Sequence, residues 1–538
     1  TNNCGGFVGW HNSATITVTN SLYAPTGSIP EGWSAINAGT TFVRGGSPTL
    51  TNCYLTELMG DAQGRLVRAF TSAPDNLGNA VENGNYGFIT AYENGLLFDG
   101  MYYAIPALPG SGTQQAPYTI SNTDEWNLFA ALVNSGTQDY SGEFVSLTDD
   151  IAVSETVGQR DGYPFSGTFL GNGHTITADI SSTTSGTGAN EQGVAPFHYI
   201  SGATIKNLEV AGTIASASYH TGGLVGFADG TNLIEGCAVT ATLNVSSNYA
   251  GGIIGHGRES ATTIRGCAFA GAINGVDGNR ENIGGIWGWS TSSPVLEDCL
   301  EAGTYTNIAS MHPIGLQKAS GIITGCYYVN AQVGSPTNAC TVGGAKQADA
   351  YDALPEWMGA QIKDYGLVTA YANGISFGGK YYKPADTFET LTDGDTYTRT
   401  EDYEVTAATY KKTTDRVGKR HAWLMPFDYT ITADDADNFT FYKINMIANS
   451  PDPEQDATND IWVFLKPMAE GDMLHANMPY VYKPKKAVTD YEFTTTAHTI
   501  LKAKNTDVIA KTETMEEVFK FYGTYEPTSP SASDQFYY

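Results

Sequence analysis

Three stretches about thirty residues apart decide the fold: Thr221-Gly-Gly-Leu-Val-Gly-Phe227, Ala250-Gly-Gly-Ile-Ile-Gly-His256 and Ile283-Gly-Gly-Ile-Trp-Gly-Trp289. A fourth copy, Cys4-Gly-Gly-Phe-Val-Gly-Trp10, lies near the start of the chain. A second motif keeps the same step: Ile234-Glu-Gly-Cys237, Ile264-Arg-Gly-Cys267, Leu296-Glu-Asp-Cys299 and Ile322-Ile-Thr-Gly-Cys326. One such unit is too short to bury its own apolar face, so neighbouring units must stack and share a core. Short β-rich runs with Gly at the corners predict a parallel β-solenoid. Glycine would serve there through positive φ and through close backbone approach between coils. Alternation in Thr204-Ile-Lys-Asn-Leu-Glu-Val210 turns one set of side chains inward.

The Gly-Gly-[Leu/Ile]-[Val/Ile]-Gly motif, followed by a strand ending in Gly-Cys, resembles the GLUG-motif repeat family. The resemblance covers about residues 1–60 and 140–335. It implies a right-handed β-helix and a bacterial surface or secreted protein. Gly110-Ser-Gly-Thr-Gln-Gln-Ala-Pro-Tyr-Thr-Ile120 and Phe165-Ser-Gly-Thr-Phe-Leu-Gly-Asn-Gly-His-Thr-Ile176 are similar to that family's first rungs. Between them, Ser121 and Asp124 read as a capping box, and Trp126, Phe129, Leu132 and Val133 share one helical face. A helix over about 121–134 is therefore expected to cap the solenoid's open end.

A larger duplication lies above the small one. Residues 86–103 and 365–382 are identical at eleven of 18 positions, at an offset of 279. Residues 1–104 then read as the last part of a first β-helix module, and 105–383 as a second module. The chain is expected to begin inside a longer protein. Asn94-Gly95 and Asn373-Gly374 predict type I′ hairpins. Phe98 and Phe377 should pack on the final coil, so that 365–382 closes the solenoid. After Lys383 the Gly-Gly motif stops and the charge density rises. Runs such as Phe439-Thr-Phe-Tyr-Lys-Ile-Asn-Met-Ile447 and Ile461-Trp-Val-Phe-Leu465 predict an antiparallel β-sandwich over 384–538. The fold class is thus all-β.

The chain has 538 residues, with 61 Gly and 32 Tyr, and 56 acidic against 28 basic residues for a net charge of -28. That balance argues against nucleic acid and against anionic membrane surfaces. No apolar run is long enough to span a bilayer. Seven cysteines without a Cys-x-x-Cys pair support neither a disulfide scaffold nor a zinc ribbon.

Candidate chemistry is sparse. Cys237, Cys267, Cys299 and Cys326 form one column, read as stacked buried thiols rather than a metal ladder. Trp10, Phe227, His256 and Trp289 each follow the third motif Gly. They form either a glycan-binding aromatic platform or a seam of stacked rings. Arg160, Asp161, His174, Asp149 and Asp150 cluster near the first rungs, where a polysaccharide lyase or hydrolase would place carboxylates and a base. Asp452, Glu454, Asp456 and Asp460 put oxygens at alternate positions, as a calcium loop would, although the run also suits a solvated acidic loop. No other cofactor is implied. The leading expectation is a non-enzymatic extracellular or cell-surface adhesin or stalk that recognises a glycan or a surface protein. The alternatives are a carbohydrate-active β-helix enzyme and a filament subunit self-associating through solenoid ends.

Overall fold

The computed structural model describes residues 4–11, 14–26, 39–57, 63–159, 162–183, 193–276, 278–317, 321–337, 339, 344–393, 397, 399, 401–449, 461–495 and 499–502. It is all-β, and the chain forms two compact units, Thr1–Pro384 and Ala385–Tyr538.

Three parallel sheets of eight, eleven and five strands dominate the first unit. In the eight-stranded sheet, consecutive repeats contribute Thr168–Leu170, Thr204–Lys206, Leu233–Glu235, Thr263–Arg265, Val295–Glu297 and Ile322–Thr324 as neighbours. Their register aligns Phe169, Ile205, Ile234, Ile264, Leu296 and Ile323 in one column. The first five of these are buried in one continuous core. Full burial of each such side chain contributes about 1.5–3 kcal/mol, so the repeating apolar residue is what sets the register. The bridges Gly222–Gly251 and Gly251–Gly284 are parallel as well.

Space, not φ, explains the motif glycines. None of the three in any central copy has a positive φ. A Cβ on the first glycine would lie 1.9 Å from the Val225 carbonyl oxygen at Gly222 and 2.1 Å from that of Ile254 at Gly251. On the second, at Gly223 and Gly252, it would meet the carbonyl oxygen of the next repeat's second glycine at 2.2 Å. On the third, at Gly226, Gly255 and Gly288, it would strike the carbonyl oxygens of Gly193, His220 and Tyr249 in the preceding turns. The positive-φ corner is a different column: Asn172, Asn207, Gly236, Gly266, Asp298 and Gly325, with φ between 49° and 67°. Asn and Asp replace Gly there because their short polar side chains tolerate the left-handed region.

The cysteine after each of the last four corners points inward. Cys237, Cys267, Cys299 and Cys326 are free and buried. Burial pushes the Cys267 and Cys299 thiols well above their ordinary value. A bulky thiol reagent should leave Cys267 unmodified in the native protein and label it only after unfolding; rapid native labelling would contradict this burial.

The helix spans Thr123–Asn134. Its N-cap is Asn122, one residue after the expected Ser121, whose hydroxyl instead donates to Glu125 Oε2 at 2.9 Å. Trp126 packs edge-on against Phe169 and Phe197, and Phe129 against Phe165, filling the first repeats.

Each duplicated segment forms part of a five-stranded antiparallel sheet, and the strand order is the same in both. The tight turns differ from the expected type I′ form. Tyr92 pairs with Gly95 and Tyr371 with Gly374, so Glu93-Asn94 and Ala372-Asn373 make the turns, at negative φ. Gly95 and Gly374 are there for packing: a Cβ would lie 2.1 Å from the Tyr103 carbonyl oxygen and 2.5 Å from that of Tyr382. Nor does the second segment simply close an end. Val368, Ile375 and Tyr382 pack on the flank formed by Ala268, Leu300 and Tyr327. Tyr365 lies over the corners at Gly236 and Gly266 and donates to Asp298 Oδ2 at 2.7 Å. Its counterpart Tyr86 bonds Asn20, another positive-φ corner, at 2.6 Å. Phe98 is exposed instead of packed, whereas Phe377 is half-buried against the flank cluster.

Among its described residues the second unit contains a three-stranded and a four-stranded sheet, with two smaller pairs. Trp423, Phe427, Phe439, Phe441, Tyr482 and Phe493 share its core. It is not wholly antiparallel as expected, since Phe388–Thr392 pairs in parallel with Ala407–Thr414. A capping box of Thr432 and Asp435 starts the short helix Ala433–Asn438.

Candidate functional site

The five-stranded parallel sheet carries Tyr199, Phe227, His256 and Trp289 in one register column. The expected aromatic platform is therefore only partly present. Phe227 and His256 are buried, with ring centroids 4.4 Å apart, and only Trp289 is half-exposed. Trp10 is exposed but belongs to another pair of strands, opposite Arg44, and does not join the column.

What covers Phe227 and His256 is the chain leading into each Gly-Gly. His220 sits 4.3 Å from the His256 ring and 5.8 Å from Phe227. His220 and Tyr249 occupy equivalent positions two residues before the motif, with φ of 62° and 65°. That left-handed turn places the carbonyl of each against the third motif glycine of the next repeat. It also lays the ring over the column. The half-exposed surface is consequently a strip of Tyr219, Tyr249 and Trp289, with centroids 6.0 and 5.6 Å apart in sequence. Tyr219 and Tyr249 escaped the sequence reading. The recurring aromatic just upstream of Gly-Gly was the available signal.

Charge borders the column on one side. Arg258 Nη2 lies 2.7 Å from Asp229 Oδ2, and the Tyr199 hydroxyl donates to the same oxygen at 3.0 Å. The guanidinium also stands 5.8 Å from the Phe227 ring centroid, within cation–π range. Flat rings beside a fixed ion pair can stack on a sugar face and bond its hydroxyls. Such a surface offers orientation and apolar contact.

The cluster near the first rungs is a turn clamp. Asp150 Oδ1 accepts the Thr175 backbone N–H at 2.9 Å and lies 3.2 Å from His174 Nδ1. Those two contacts, the backbone one first, hold the Asp150 carboxyl below the usual range. The Asp149 side chain lies 3.4 Å from the Thr148 hydroxyl. Arg160 and Asp161 lie outside the described residues, as do all four expected calcium ligands, Asp452, Glu454, Asp456 and Asp460. Among the described residues no group of three or more His, Cys, Asp or Glu could hold a metal ion. No helix among them is long and apolar enough to cross a membrane.

No family model and no curated protein matches the chain. Two solved structures match the chain, both at TM-scores under 0.5. One is a "putative immunoglobulin A1 protease" from Bacteroides ovatus, 17% identical over 44% of this chain and 86% of that one, with a TM-score of 0.32. The other is the enzymatically active domain of tailspike protein 4 of bacteriophage CBA120, 10% identical over 84% of this chain and 72% of that one, with a TM-score of 0.14.

Proposed function

We propose that this chain is a non-enzymatic extracellular recognition protein, a stalk or adhesin that binds glycan through a flank of its repeats. In this reading the three parallel sheets are the faces of a right-handed β-helix of the GLUG-repeat type. The second unit is a β-sandwich-like domain following it. The observation that carries the proposal is the strip of Tyr219, Tyr249 and Trp289, three half-exposed rings in succession with centroids 6.0 and 5.6 Å apart. Three rings in succession offer a longer stacking surface than a single small substrate would fill. The acidic surface suppresses non-specific association and leaves recognition to such patches.

A glycan array followed by a reducing-end assay on the bound sugar tests this. Retention without cleavage is expected, and Tyr249→Ala or Trp289→Ala should weaken retention at least tenfold, since a stacking ring contributes about 0.5–1.5 kcal/mol beyond the area it buries. Release of unsaturated or reducing ends at enzymatic rates would replace the adhesin with a polysaccharide lyase or hydrolase. Retention indifferent to both substitutions would move the site off this flank.

A further inference from the structure

The second unit is acidic as a whole, yet it gathers cations in one place. Residues 411–420 read Lys-Lys-Thr-Thr-Asp-Arg-Val-Gly-Lys-Arg, five bases to one acid. The strands Ala407–Thr414 and His421–Trp423 and the turn between them form one wall of a concavity of about 970 Å³. Strand Tyr480–Pro484 supplies the other wall. Lys412, Arg416, Lys419, Arg420, His421 and Lys483 line it.

One carboxylate lies among them, Asp393, and it is already engaged. It accepts from Lys412 Nζ at 2.6 Å and from the Tyr410 hydroxyl at 2.6 Å. Arg416, Lys419, Arg420 and Lys483 have no carboxylate partner among the described residues. In a chain with twice as many acids as bases, unpaired cations facing one hollow repel one another at a cost that a bound anion would remove. His421 responds to the same field. Burial, then Arg416 and Lys412, hold its imidazole below the ordinary range, and its buried Nε2 has no partner among the described residues.

We propose that this concavity binds a compact polyanion, a ligand carrying several sulfate or phosphate groups on a small ring scaffold. Size and field both point there. The volume suits a ligand of one to three rings. Outside the hollow the acidic surface repels an extended polyanion such as nucleic acid or an anionic membrane. Arginine supplies the forked donors that oxyanions favour, and Lys419 and Lys483 add charge beside them. The site belongs to the second unit alone and does not rest on the flank reading.

Calorimetric titration of the whole chain with a trisulfated uronate-glucosamine disaccharide, its unsulfated form and inositol hexakisphosphate tests the assignment. Saturable one-to-one binding of at least one of the two polyanions, weakened by salt, is expected; the tighter of the two shows whether sulfate or phosphate is the natural group. The unsulfated disaccharide should bind at least tenfold more weakly. Arg416→Ala with Arg420→Ala should cost at least tenfold, while Lys466→Ala with Lys486→Ala, outside the hollow, should leave affinity unchanged. Should the arginine variant fail to fold, the native chain still decides. Bound polyanion must raise the pH at which the His421 ring titrates by NMR, since it offsets Lys412, Arg416, Lys419, Arg420 and Lys483, which Asp393 alone does not balance. No binding by either polyanion, equal binding of the unsulfated sugar, or an unmoved His421 titration would overturn the proposal.

Discussion

Replacing Glu301 with alanine should destabilise the first unit by about 3 kcal/mol or more, the largest effect expected from a single side chain here. Glu301 is fully buried, and its carboxylate collects four donors. Gly303 N–H and the Tyr305 hydroxyl each lie at 2.9 Å, and Asn330 gives its backbone N–H at 3.2 Å and its amide at 3.0 Å. Alanine would leave the Gly303 N–H, the Tyr305 hydroxyl and the Asn330 N–H without this acceptor, while the Asn330 amide keeps its 2.8 Å bond to the Gly303 carbonyl oxygen; each unsatisfied buried donor costs about 1–3 kcal/mol. The same site has a pH signature. Burial raises the Glu301 pKa above 4.5 and outweighs the hydrogen bonds that lower it. The folded state therefore binds this proton more tightly than the unfolded chain. The resulting stability is fully present below pH 4.5 and is lost as pH rises through the elevated folded value. Calorimetry of the whole chain should show this slope in the first unit's transition, and Glu301→Gln should remove it. An alanine variant as stable as the parent would mean that the network is not formed.

Gly255→Ala should cost about 3 kcal/mol, comparable with the more severe overpacked sites. Its φ is ordinary, so strain is not the reason. A Cβ there would stand 1.7 Å from the His220 carbonyl oxygen and 2.8 Å from that of Gly226, and both obstacles are backbone. Two neighbouring repeats would have to part. Gly142→Ala is the control: its φ is 76° and nothing lies within 4 Å, so it should cost only about 1–2 kcal/mol for the left-handed conformation. Stacked repeats interact with nearest neighbours, so the damage should stay local. Hydrogen exchange should quicken in Val225–Gly230, Ile254–Ser260 and Trp287–Ser290 while Thr168–Leu170 stays protected. Equal losses in both variants would show that the third motif glycine is there for flexibility and not for space.

The repeat was legible in the sequence because the same physical need recurs in every unit. Ile205, Ile234, Ile264 and Leu296 had to share one core, and the glycines had to admit a neighbour's carbonyl. The buried cysteines followed from the same column. Facing was harder to read. Phe227 and His256 look like a surface pair until the left-handed turn at His220 lays another ring over them, and that turn has no glycine to announce it. Gly95 and Gly374 resemble turn residues because packing and turning demand the same amino acid. The flank position of Tyr365 depends on Asp298, 67 residues earlier. The basic run 411–420 drew no notice in the sequence, because the hollow it lines needs Lys483 and Asp393, which only the fold brings near.

The shared core and the proposed recognition flank both require the chain to return to its own starting column once per repeat, and a distance tests that most directly. Lys206 and Thr324 occupy equivalent outward positions four strands apart, through Glu235, Arg265 and Glu297. At about 4.8 Å per strand the backbone separation is about 19 Å. Spin labels at both positions, with Cys4 and Cys340 replaced by serine, should give one narrow dipolar distance near that value once the label arms are allowed for. A broad distribution, or a distance beyond about twice that strand-spacing value, would contradict the stack and the proposed recognition surface that rests on it.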